Sequence, residues 1–510
     1  MIFAAVALGA LALSPGSPPE PKVVTLLFTN DVESAYEPTP AFWLSDLQTI
    51  GGIAEMTTLI RNLRNAEPNT FLFDSGDIFT GALAKLTEGE LAFELMISMG
   101  YDAMAIGNHE FEYGAEIFAR EKNRAPFPVL GANLFYRGTS HPFAQPHAVV
   151  ERNGVRIGVI GIMGQDAATA IIPSFIAPLD VTDPAEAVRR SVNELRDDVD
   201  LIVLLTHQGK TAPMQTDAEV DPRLQRDIDA DIRLAGAVEG IDVLLAGHAD
   251  AGTPTPVVHE KTGTLIMQTY GQATYLGYLR LTLDGETGKI ASYEGKLIPV
   301  DSARLTPDPA IQAKLEKYRS LHPELRRKVG RTEARMNRRY VDESDVGNLF
   351  ADVLVDASLA DAAFIHSGSL RKDLPEGDIA LVDILDVYPF VDDIVVMRMT
   401  GEQIRRVLEQ SLTLERGLLQ VSGIEIVFDL SKPERQRLVS MRRKRSLIEP
   451  ADELEIAVSG FLAEGGDLYD AFPEAKRLRT LGKVSDAVVG YFRSRDVVKV
   501  PPRGRQSNAR

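Results

Sequence analysis

Side chains that bind metal ions or move protons follow five short apolar runs in this sequence. The motifs TNDVES, DSGD, GNHE, THQG and GHAD supply carboxylate, amide and imidazole groups at these places. In two motifs the groups are spaced i,i+2, so both can point the same way from an extended segment. One such histidine alone is more often structural, but the ordered set indicates a shared site. Its members are Asp31, Glu33, Asp77, Asn108, His109, His207, His248 and Asp250.

This set suits a pair of divalent cations. Two ions roughly 3.5–4 Å apart can activate water and stabilise both the attacking and the leaving oxygen of a displacement. A bridging carboxylate would lie between them, with neutral imidazoles and an amide oxygen as further ligands. The chain has 8 His and no Cys. Thiolate metal sites, iron–sulfur clusters, Cys nucleophiles and disulfides are therefore excluded, and only His and oxygen ligands remain.

The elements that must position these groups follow an α/β pattern between Val23 and Pro299. Short apolar runs end in polar or Gly residues, as buried strands that lead into loops do. Segments between the runs, such as DPAEAVRRSVNELRDD, have helical spacing and charged faces. Because open α/β sheets bind ligands at the carboxyl ends of their strands, we expect the candidate groups to meet there.

Length and charge limit the kind of protein. The 510 residues are enough for two or three domains. The net charge of −18 disfavours binding to nucleic-acid polymers, although a local patch could hold one small anion. Residues 1–13 are apolar or small and too few to span a bilayer, which predicts a signal peptide and spacer at residues 1–20. A buried N-terminal strand is the alternative. No later segment resembles a membrane span.

The pattern changes along the rest of the chain. We predict a first domain at residues 21–300, a charged helical linker at 301–340 and an α+β domain at 341–500. The basic residues 501–510 are predicted to be a disordered tail.

The strand-end motifs resemble those of the calcineurin-like metallophosphoesterases. Over nearly the whole chain, the sequence resembles the bacterial bifunctional UDP-sugar hydrolase/5'-nucleotidase family. The resemblance implies an α/β protein in which a four-layer α/β/β/α metallophosphoesterase domain is joined by the helical linker to a C-terminal α+β nucleotide-binding domain. It further implies a nucleotide or other small phosphoester as substrate.

The resemblance also assigns roles to the candidate residues. Asp77 would bridge two divalent metal ions, and His109 would be a catalytic histidine oriented by Glu112. The first ion would be held by Asp31, Glu33 and Asp250, and the second by Asn108, His207 and His248.

Three of these positions depart from the family pattern. Glu33 stands where the family has His, Asp250 where it has His or Gln, and Glu112 where it has Asp. If Glu33 and Asp250 both bind the metal, the added carboxylates favour manganese, magnesium or calcium over zinc. The alternative is a degraded metal site with weak or no activity.

The C-terminal half carries a second family-like set. Arg371 in SGSLRKDLPEGDI matches the arginine of the substrate loop, whereas His366 replaces its Asn. Phe390 and Phe461 match two aromatic residues that sandwich a base, and Asp467 matches the acidic residue that holds ribose hydroxyls. Taken alone, either Phe is more often core packing. Asp392 replaces an Asn and could alter base preference.

These observations predict an exported, metal-dependent phosphohydrolase acting on nucleoside 5'-monophosphates or related nucleotides, periplasmic or secreted and monomeric. Two alternatives stay open. The same fold could act on cyclic nucleotides, nucleotide sugars or another phosphoester, because His366 and Asp392 depart from the family. The second alternative is a non-catalytic nucleotide- or metal-binding protein, because Glu33 and Asp250 alter the first metal site.

Overall fold

The computed structural model describes residues 20–211 and 226–509. The signal peptide predicted at residues 1–20 lies outside the described residues, except for Glu20. Within the described ranges, no helix is both long and apolar enough to cross a membrane.

The N-terminal half of the chain contains strands β1–β16. They are β1 (Lys22–Thr29), β2 (Thr39–Pro40), β3 (Thr49–Ile50), β4 (Thr70–Asp74), β5 (Ala103–Ala105), β6 (Val129–Leu130), β7 (Leu134–Tyr136), β8 (His147–Arg152), β9 (Val155–Met163), β10 (Leu179–Val181), β11 (Leu201–Gln208), β12 (Val243–His248), β13 (Val257–Val258), β14 (Leu265–Gln268), β15 (Tyr275–Leu283) and β16 (Ile290–Pro299).

Most of these strands form two six-stranded sheets that pack face to face. The first has the order β16-β15-β1-β4-β5-β6 and the second β13-β14-β12-β11-β9-β8. Strands β1, β4, β5 and β6 run parallel to one another, and so do β9, β11, β12 and β14. In each sheet the carboxyl ends of the parallel strands therefore lie along one edge.

Helices cover the outer faces of both sheets, and strand residues alternate between the two sides as a period of two requires. In β1, Leu26 packs between the sheets, whereas Leu27 faces the cluster that contains α1. In β11, Val203 lies between the sheets and Leu204 faces α7 and α8. The α/β/β/α layering is thus confirmed. The helices of this half are α1 (Ile53–Ala66), α2 (Gly81–Thr87), α3 (Glu90–Met99), α4 (Ala115–Lys122), α5 (Gln165–Ala168), α6 (Pro173–Ile176), α7 (Pro184–Leu195), α8 (Asp229–Ala237) and α9 (Pro309–Leu321).

The C-terminal half is an α+β unit, which agrees with the prediction. Its strands are β17 (Lys328–Thr332), β18 (Ala362–His366), β19 (Gly377–Ala380), β20 (Asp393–Thr400), β21 (Leu419–Ser422), β22 (Glu425–Phe428), β23 (Leu438–Arg443), β24 (Ser446–Leu447), β25 (Glu453–Ser459), β26 (Lys476–Lys483) and β27 (Gln506–Asn508). Its helices are α10 (Asp345–Ser358), α11 (Leu381–Val387), α12 (Gly401–Ser411), α13 (Gly460–Ala463) and α14 (Val484–Arg493).

A five-stranded sheet, β21-β18-β25-β20-β26, forms the centre of this half. Helices α10 and α14 pack on one face. Helix α12 and the small sheet β24-β23-β22-β27 pack on the other.

The segment between the halves contains one long helix. Helix α9 buries Ile311, Leu315 and Tyr318 against the N-terminal half. Strand β17, which also falls in the predicted linker, pairs with β19 of the C-terminal half. Each end of the segment is therefore fixed to a different half of the molecule.

The prediction of a disordered tail at residues 501–510 is wrong for most of its length. Strand β27 pairs in parallel with β22, and Arg505 contacts both carboxylate oxygens of Asp352, at 2.6 and 2.7 Å. Polar composition suggested disorder, but a distant carboxylate and an open sheet edge hold this segment in place.

Candidate active site

Five strand ends from the two stacked sheets meet on one side of the N-terminal half. In the first sheet, Asp31, Asp77 and Asn108 follow β1, β4 and β5. In the second sheet, His207 lies near the end of β11 and His248 ends β12. The sheets are connected here, since the backbone N–H of His248 donates to Asp31 Oδ2 at 2.8 Å. The strand ends therefore lie where the apolar pattern predicted them.

The backbone at this edge is left-handed at most of the predicted ligands. Positive φ angles occur at Asp31 (49°), Glu33 (46°), Asp77 (62°), His248 (70°) and Asp250 (50°). Residues with a Cβ rarely adopt this conformation, and it clusters at functional sites whose surroundings enforce it. One enforcing contact joins the loops after β1 and β4, because the N–H of Glu33 donates to the carbonyl of Asp77 at 3.0 Å.

Three ligand atoms converge at one end of the site. His207 Nε2 lies 2.9 Å from Asp77 Oδ2 and 3.1 Å from Asn108 Oδ1. The other ring nitrogen, Nδ1, is 2.7 Å from the carbonyl oxygen of Ser75. That oxygen can only accept, so Nδ1 carries a proton and Nε2 faces two oxygens. A cation at this point would satisfy all three atoms.

His248 completes this group. Its Nε2 is buried and has no hydrogen-bond partner in the described part of the chain, and ligand atoms of Asp77, His207 and His248 lie within 4.8 Å of one another. Burial, followed by the nearby His207, lowers the pKa of His248. Burial opposes protonation of His207 too, but Asp77 and Asp31 outweigh it and raise its pKa to about 10. The site thus has a neutral imidazole and a strong demand for positive charge, and these residues fit a divalent metal ion.

The other end of the site is rich in carboxylates. Ligand atoms of Glu33, Asp77 and His109 lie within 4.8 Å of one another, and Asn30 Nδ2 donates to Asp31 Oδ2 at 2.8 Å and to Asp250 Oδ1 at 3.2 Å. Burial and nearby carboxylates raise the pKa of Asp31 to about 7 and raise that of Asp250. A bound cation would relieve this crowding of negative charge, so this end also fits a metal ion.

Two cationic groups face the carboxylates. His109 Nδ1 hydrogen-bonds to Glu112 Oε1, which also accepts from Thr80 Oγ1 at 2.6 Å. Burial opposes protonation of His109, but Asp77 and Glu112 outweigh it and raise its pKa. Glu33 Oε1 lies 3.1 Å from His109 Nε2 and 3.3 Å from Arg371 Nη1. Arg371 comes from the C-terminal half, so both halves contribute to this point.

Glu110 is a structural residue of the site that sequence reasoning missed. Its buried carboxylate accepts from the backbone N–H groups of Asp77, Ile78 and Gly107 at 2.6–3.0 Å. It therefore ties the loop after β4 to the loop after β5. The signal was present in GNHE, where this acidic residue follows the histidine.

The two predicted aromatic residues lie on one cavity with the metal-binding groups. This central cavity, of about 140 Å³, is lined by six of the seven predicted metal ligands, while His207 is fully buried behind them. Phe390 lies under the Arg371 guanidinium, 5.7 Å from ring centre to carbon. Phe461 lies 6.2 Å from the ring of His366. The cavity therefore joins an apolar, aromatic part to a charged part.

Asp467 and His366 form a polar pair in the aromatic part. His366 Nε2 lies 3.5 Å from Asp467 Oδ2. Both side chains are buried, and neither His366 Nε2 nor Asp467 Oδ1 has a hydrogen-bond partner among the described residues. Asp467 has a φ of 51°. These unsatisfied atoms are available to a polar ligand.

Asp392 lies behind the aromatic residues. Tyr388 Oη donates to its Oδ1 at 2.8 Å, and the N–H of Phe461 donates to its Oδ2 at 3.2 Å. The carboxylate is thus occupied in fixing the segments that carry Phe390 and Phe461, and the structure gives it a positioning role rather than a free edge for a base.

Two further cations at the contact between the halves were not predicted. Arg416 lines the central cavity, where its Nη2 donates to the carbonyl of Asp166 at 3.2 Å and its Nε lies 3.7 Å from Asp467. Lys85 Nζ donates to the carbonyl of Phe390 at 2.7 Å. Asp166 lies 250 positions from Arg416 and Phe390 lies 305 positions from Lys85, so no local pattern in the sequence could reveal these contacts.

Comparison with known proteins gives this arrangement a family context. Residues 39–249 match the calcineurin-like phosphoesterase family, and residues 328–474 match the 5'-nucleotidase C-terminal domain. A 5'-nucleotidase of Diplobatis ommata is 27% identical over 95% of this chain and 90% of its own length. The trifunctional nucleotide phosphoesterase YfkN of Bacillus subtilis is also 27% identical, over 84% of this chain, which spans about a third of that longer protein (32%). The crystal structure of a 5'-nucleotidase precursor from Thermus thermophilus superimposes with a TM-score of 0.82 at 25% identity, covering 96% of this chain and 99% of that one.

Proposed function

We propose that the substrates of this chain are nucleoside 5'-monophosphates or closely related nucleotides. The chain belongs to the calcineurin-like phosphoesterases that carry a 5'-nucleotidase C-terminal domain, and it is a phosphoester hydrolase. One observation carries the proposal. Asp77, whose surroundings fit a metal ion, lines the same central cavity as Phe390 and Phe461 of the other half. A flat base and a phosphate on one molecule match these two parts.

Divalent metal ions are the cofactor of this family, and we propose two of them. Asp77 would contact both ions. Asp31, Glu33 and Asp250 would hold the first, and Asn108, His207 and His248 the second. When bound, the ions would lower the pKa of the attacking water and balance the charge of the phosphate. The carboxylate-rich first site favours manganese, magnesium or calcium over zinc.

The remaining residues bind and orient the substrate. Phe390 and Phe461 would bracket the base. Stacking of a base on an aromatic side chain stabilises binding by about 1–3 kcal/mol per base. Asp467, whose Oδ1 accepts no hydrogen bond from the described residues, would accept from ribose hydroxyls. Arg371 would bind the phosphate and His109, held by Glu112, would stabilise charge that develops on its oxygens.

We also propose that the protein is exported and acts as a monomer in the periplasm or outside the cell. The support for export is the apolar sequence at residues 1–13 and the Ser/Pro/Gly-rich stretch after it. Mass spectrometry of the protein recovered from its native compartment tests this, since a mature N-terminus near residue 20 is expected and an intact Met1 in a cytoplasmic fraction contradicts it.

Phosphate release tests the proposed function. The full-length protein is assayed with AMP, a cyclic nucleotide and a nucleotide sugar, each with manganese, magnesium, calcium or zinc. We expect the highest kcat/KM with AMP and a loss of more than 100-fold in Asp77→Asn, with Asp378→Asn as an exposed control. Faster turnover of the nucleotide sugar or cyclic nucleotide would identify the alternative substrate. Unchanged turnover in Asp77→Asn would contradict the metal assignment.

A further inference from the structure

A second and larger cleft lies against the central cavity. Its volume is about 1290 Å³, and the two spaces share the side chains of Glu33, Arg338 and Arg371. We call it the basic cleft; it is lined by the loop 33–42, the start of α2, the segment after α9, and residues 335–339 and 371–373. The basic cleft thus borders the proposed phosphate position through these shared side chains, and Phe461 lines only the central cavity.

The charge of the basic cleft is opposite to that of the whole chain. Seven Arg and Lys side chains line it against four Asp and Glu side chains, although the net charge of the protein is −18. A concave surface with one sign of charge concentrates ions of the other sign. This local excess of positive charge therefore attracts a small anion.

Most of these cations already have carboxylate partners. Arg319 pairs with Glu37, Arg335 Nη2 lies 2.8 Å from Asp373, and Lys372 Nζ lies 2.8 Å from Asp386. Arg326 lies 3.5 Å from Glu316, and Arg371 pairs with Glu33. The charges of these five side chains are therefore balanced by carboxylates, and the side chains mainly determine the shape of the cleft.

Arg339 differs from them. It is half-buried, and no hydrogen bond or ion pair of its guanidinium is found in the described ranges 20–211 and 226–509. The adjacent Arg338 is close enough to Arg371 for the two charges to repel, since burial and then Arg371 lower the pKa of Arg338 to about 10. An anion bound beside Arg339 would satisfy this guanidinium, and Arg338 and Arg371 line the same cleft.

We propose that the basic cleft holds a second anion site, centred on Arg339 and completed by Arg338, that binds a phosphate group outside the catalytic position. Guanidinium groups bind phosphate through two parallel hydrogen bonds. The choice of phosphate rests on the proposed function, because the adjoining catalytic position releases it. Two sources share this chemistry: inorganic phosphate on its way out, or an additional phosphoryl group of a substrate.

Direct binding tests the site without turnover. The metal-stripped full-length protein is titrated with inorganic phosphate by calorimetry. We expect Arg339→Gln to weaken one binding event at least 10-fold. The matched control is Arg331→Gln, which removes an exposed arginine of β17, outside the cleft and 3.9 Å from Asp378. Unchanged phosphate binding in Arg339→Gln, or an equal loss in Arg331→Gln, overturns the proposal whether or not the protein hydrolyses nucleotides.

Kinetics then separate the two sources. If product phosphate uses the site, Arg339→Gln raises the inhibition constant for inorganic phosphate several-fold and changes the KM values for AMP and ADP equally or not at all. If a second phosphoryl group uses it, the KM for ADP rises several-fold relative to that for AMP. Arg339→Lys should restore part of either effect. If neither quantity changes, the cleft has no role as a phosphate site.

Discussion

His109 depends on one carboxylate for its orientation and its charge. Glu112 contacts Nδ1 and is held in turn by Thr80, so Nε2 points at the position between Glu33 and Arg371. A histidine fixed through one ring nitrogen presents the other in a defined direction and protonation state. Glu112, which has no proposed contact with the substrate, therefore controls His109, which has one.

Replacing Glu112 tests this dependence. In Glu112→Gln, we expect kcat to fall about 10- to 100-fold, the size typical when an orienting partner is lost, with the KM for AMP changed less than twofold. Because Glu112 raises the pKa of His109, the alkaline limb of the kcat–pH profile should move to lower pH. Glu116→Gln on α4 is the control. An unshifted alkaline limb would show that His109 is not the group that titrates.

Asp231 gives a stability prediction away from the chemistry. Its Oδ1 accepts from Thr206 and Gln208 at 2.7 and 3.0 Å, whereas its Oδ2 is buried without a partner among the described residues. Burial raises the pKa of this carboxyl to about 7. The stability it contributes is complete below pH 4 and is lost as the pH rises to about 7, because ionising the buried group costs free energy.

Asp231→Asn should remove this pH dependence. We expect the variant to gain Tm relative to the native protein between pH 5 and pH 8, with little difference at pH 4. Thermal unfolding at several pH values measures the difference, and Asp229→Asn at the start of the same helix is the control. A constant offset at all pH values would mean that Asp231 does not titrate in this range.

At the scale of elements, the C-terminal strand closes the small sheet of the C-terminal half. Deleting residues 503–510 removes β27 and the contacts of Arg505 with Asp352. We expect the deletion to lower Tm by about 5 °C or more. The Tm of Arg505→Lys should lie between those of the deletion variant and the full-length protein, because lysine keeps the charge but loses the paired hydrogen bonds. A truncated protein that melts with the full-length one would show that the strand adds no stability.

The elements that could be predicted from sequence are those that local pattern determines. The run LIVLLTHQ becomes β11 because its apolar residues are buried on both faces and the chain turns polar where it leaves the sheets. Strand β27 could not be predicted, since QSN has no apolar pattern and pairs with a strand about 80 residues earlier. The sequence pattern thus predicted the loops of the site, but it did not predict the edge strand β27 of the C-terminal half.

The candidate site shows the same division. Asp77, His207 and His248 could be predicted because each lies at or just after the end of its own strand, and the structure brings them together. The contact of Arg371 with Glu33 and that of Arg416 with Asp166 join residues of different halves, and no spacing rule predicts them. Asp392 was predicted from its place two residues after Phe390, but its contacts with Tyr388 and Phe461 became visible only in three dimensions.

At the scale of the whole molecule, the site is complete only when the halves touch. Lys85 on α2 donates to the carbonyl of Phe390 and lies 3.3 Å from Ser485 Oγ, so the N-terminal half supports an aromatic wall of the nucleotide part. Burial lowers the pKa of Lys85 to about 8. A charged hydrogen bond of this kind contributes about 1.5–3 kcal/mol.

Lys85→Met keeps the length of the side chain and removes the donor. We expect the KM for AMP to rise about 10-fold, the equivalent of about 1.4 kcal/mol, with a smaller change in kcat because the metal-binding residues are untouched. Steady-state kinetics measure both, with the exposed Lys289→Met as control. A fall in kcat with an unchanged KM would place Lys85 in catalysis instead of in nucleotide binding.

The left-handed backbone of Asp31, Glu33, Asp77, His248 and Asp250 has a consequence for how such a protein can evolve. The conformation costs roughly 1 kcal/mol at Glu33 and His248 and less at the three Asp residues, which adopt it more readily, so the loops that hold the site weaken the fold. A library of variants selected for heat resistance alone should therefore accumulate Gly and Asn at these five positions and lose turnover. Directed evolution of a sturdier enzyme from this chain must select for activity in every round.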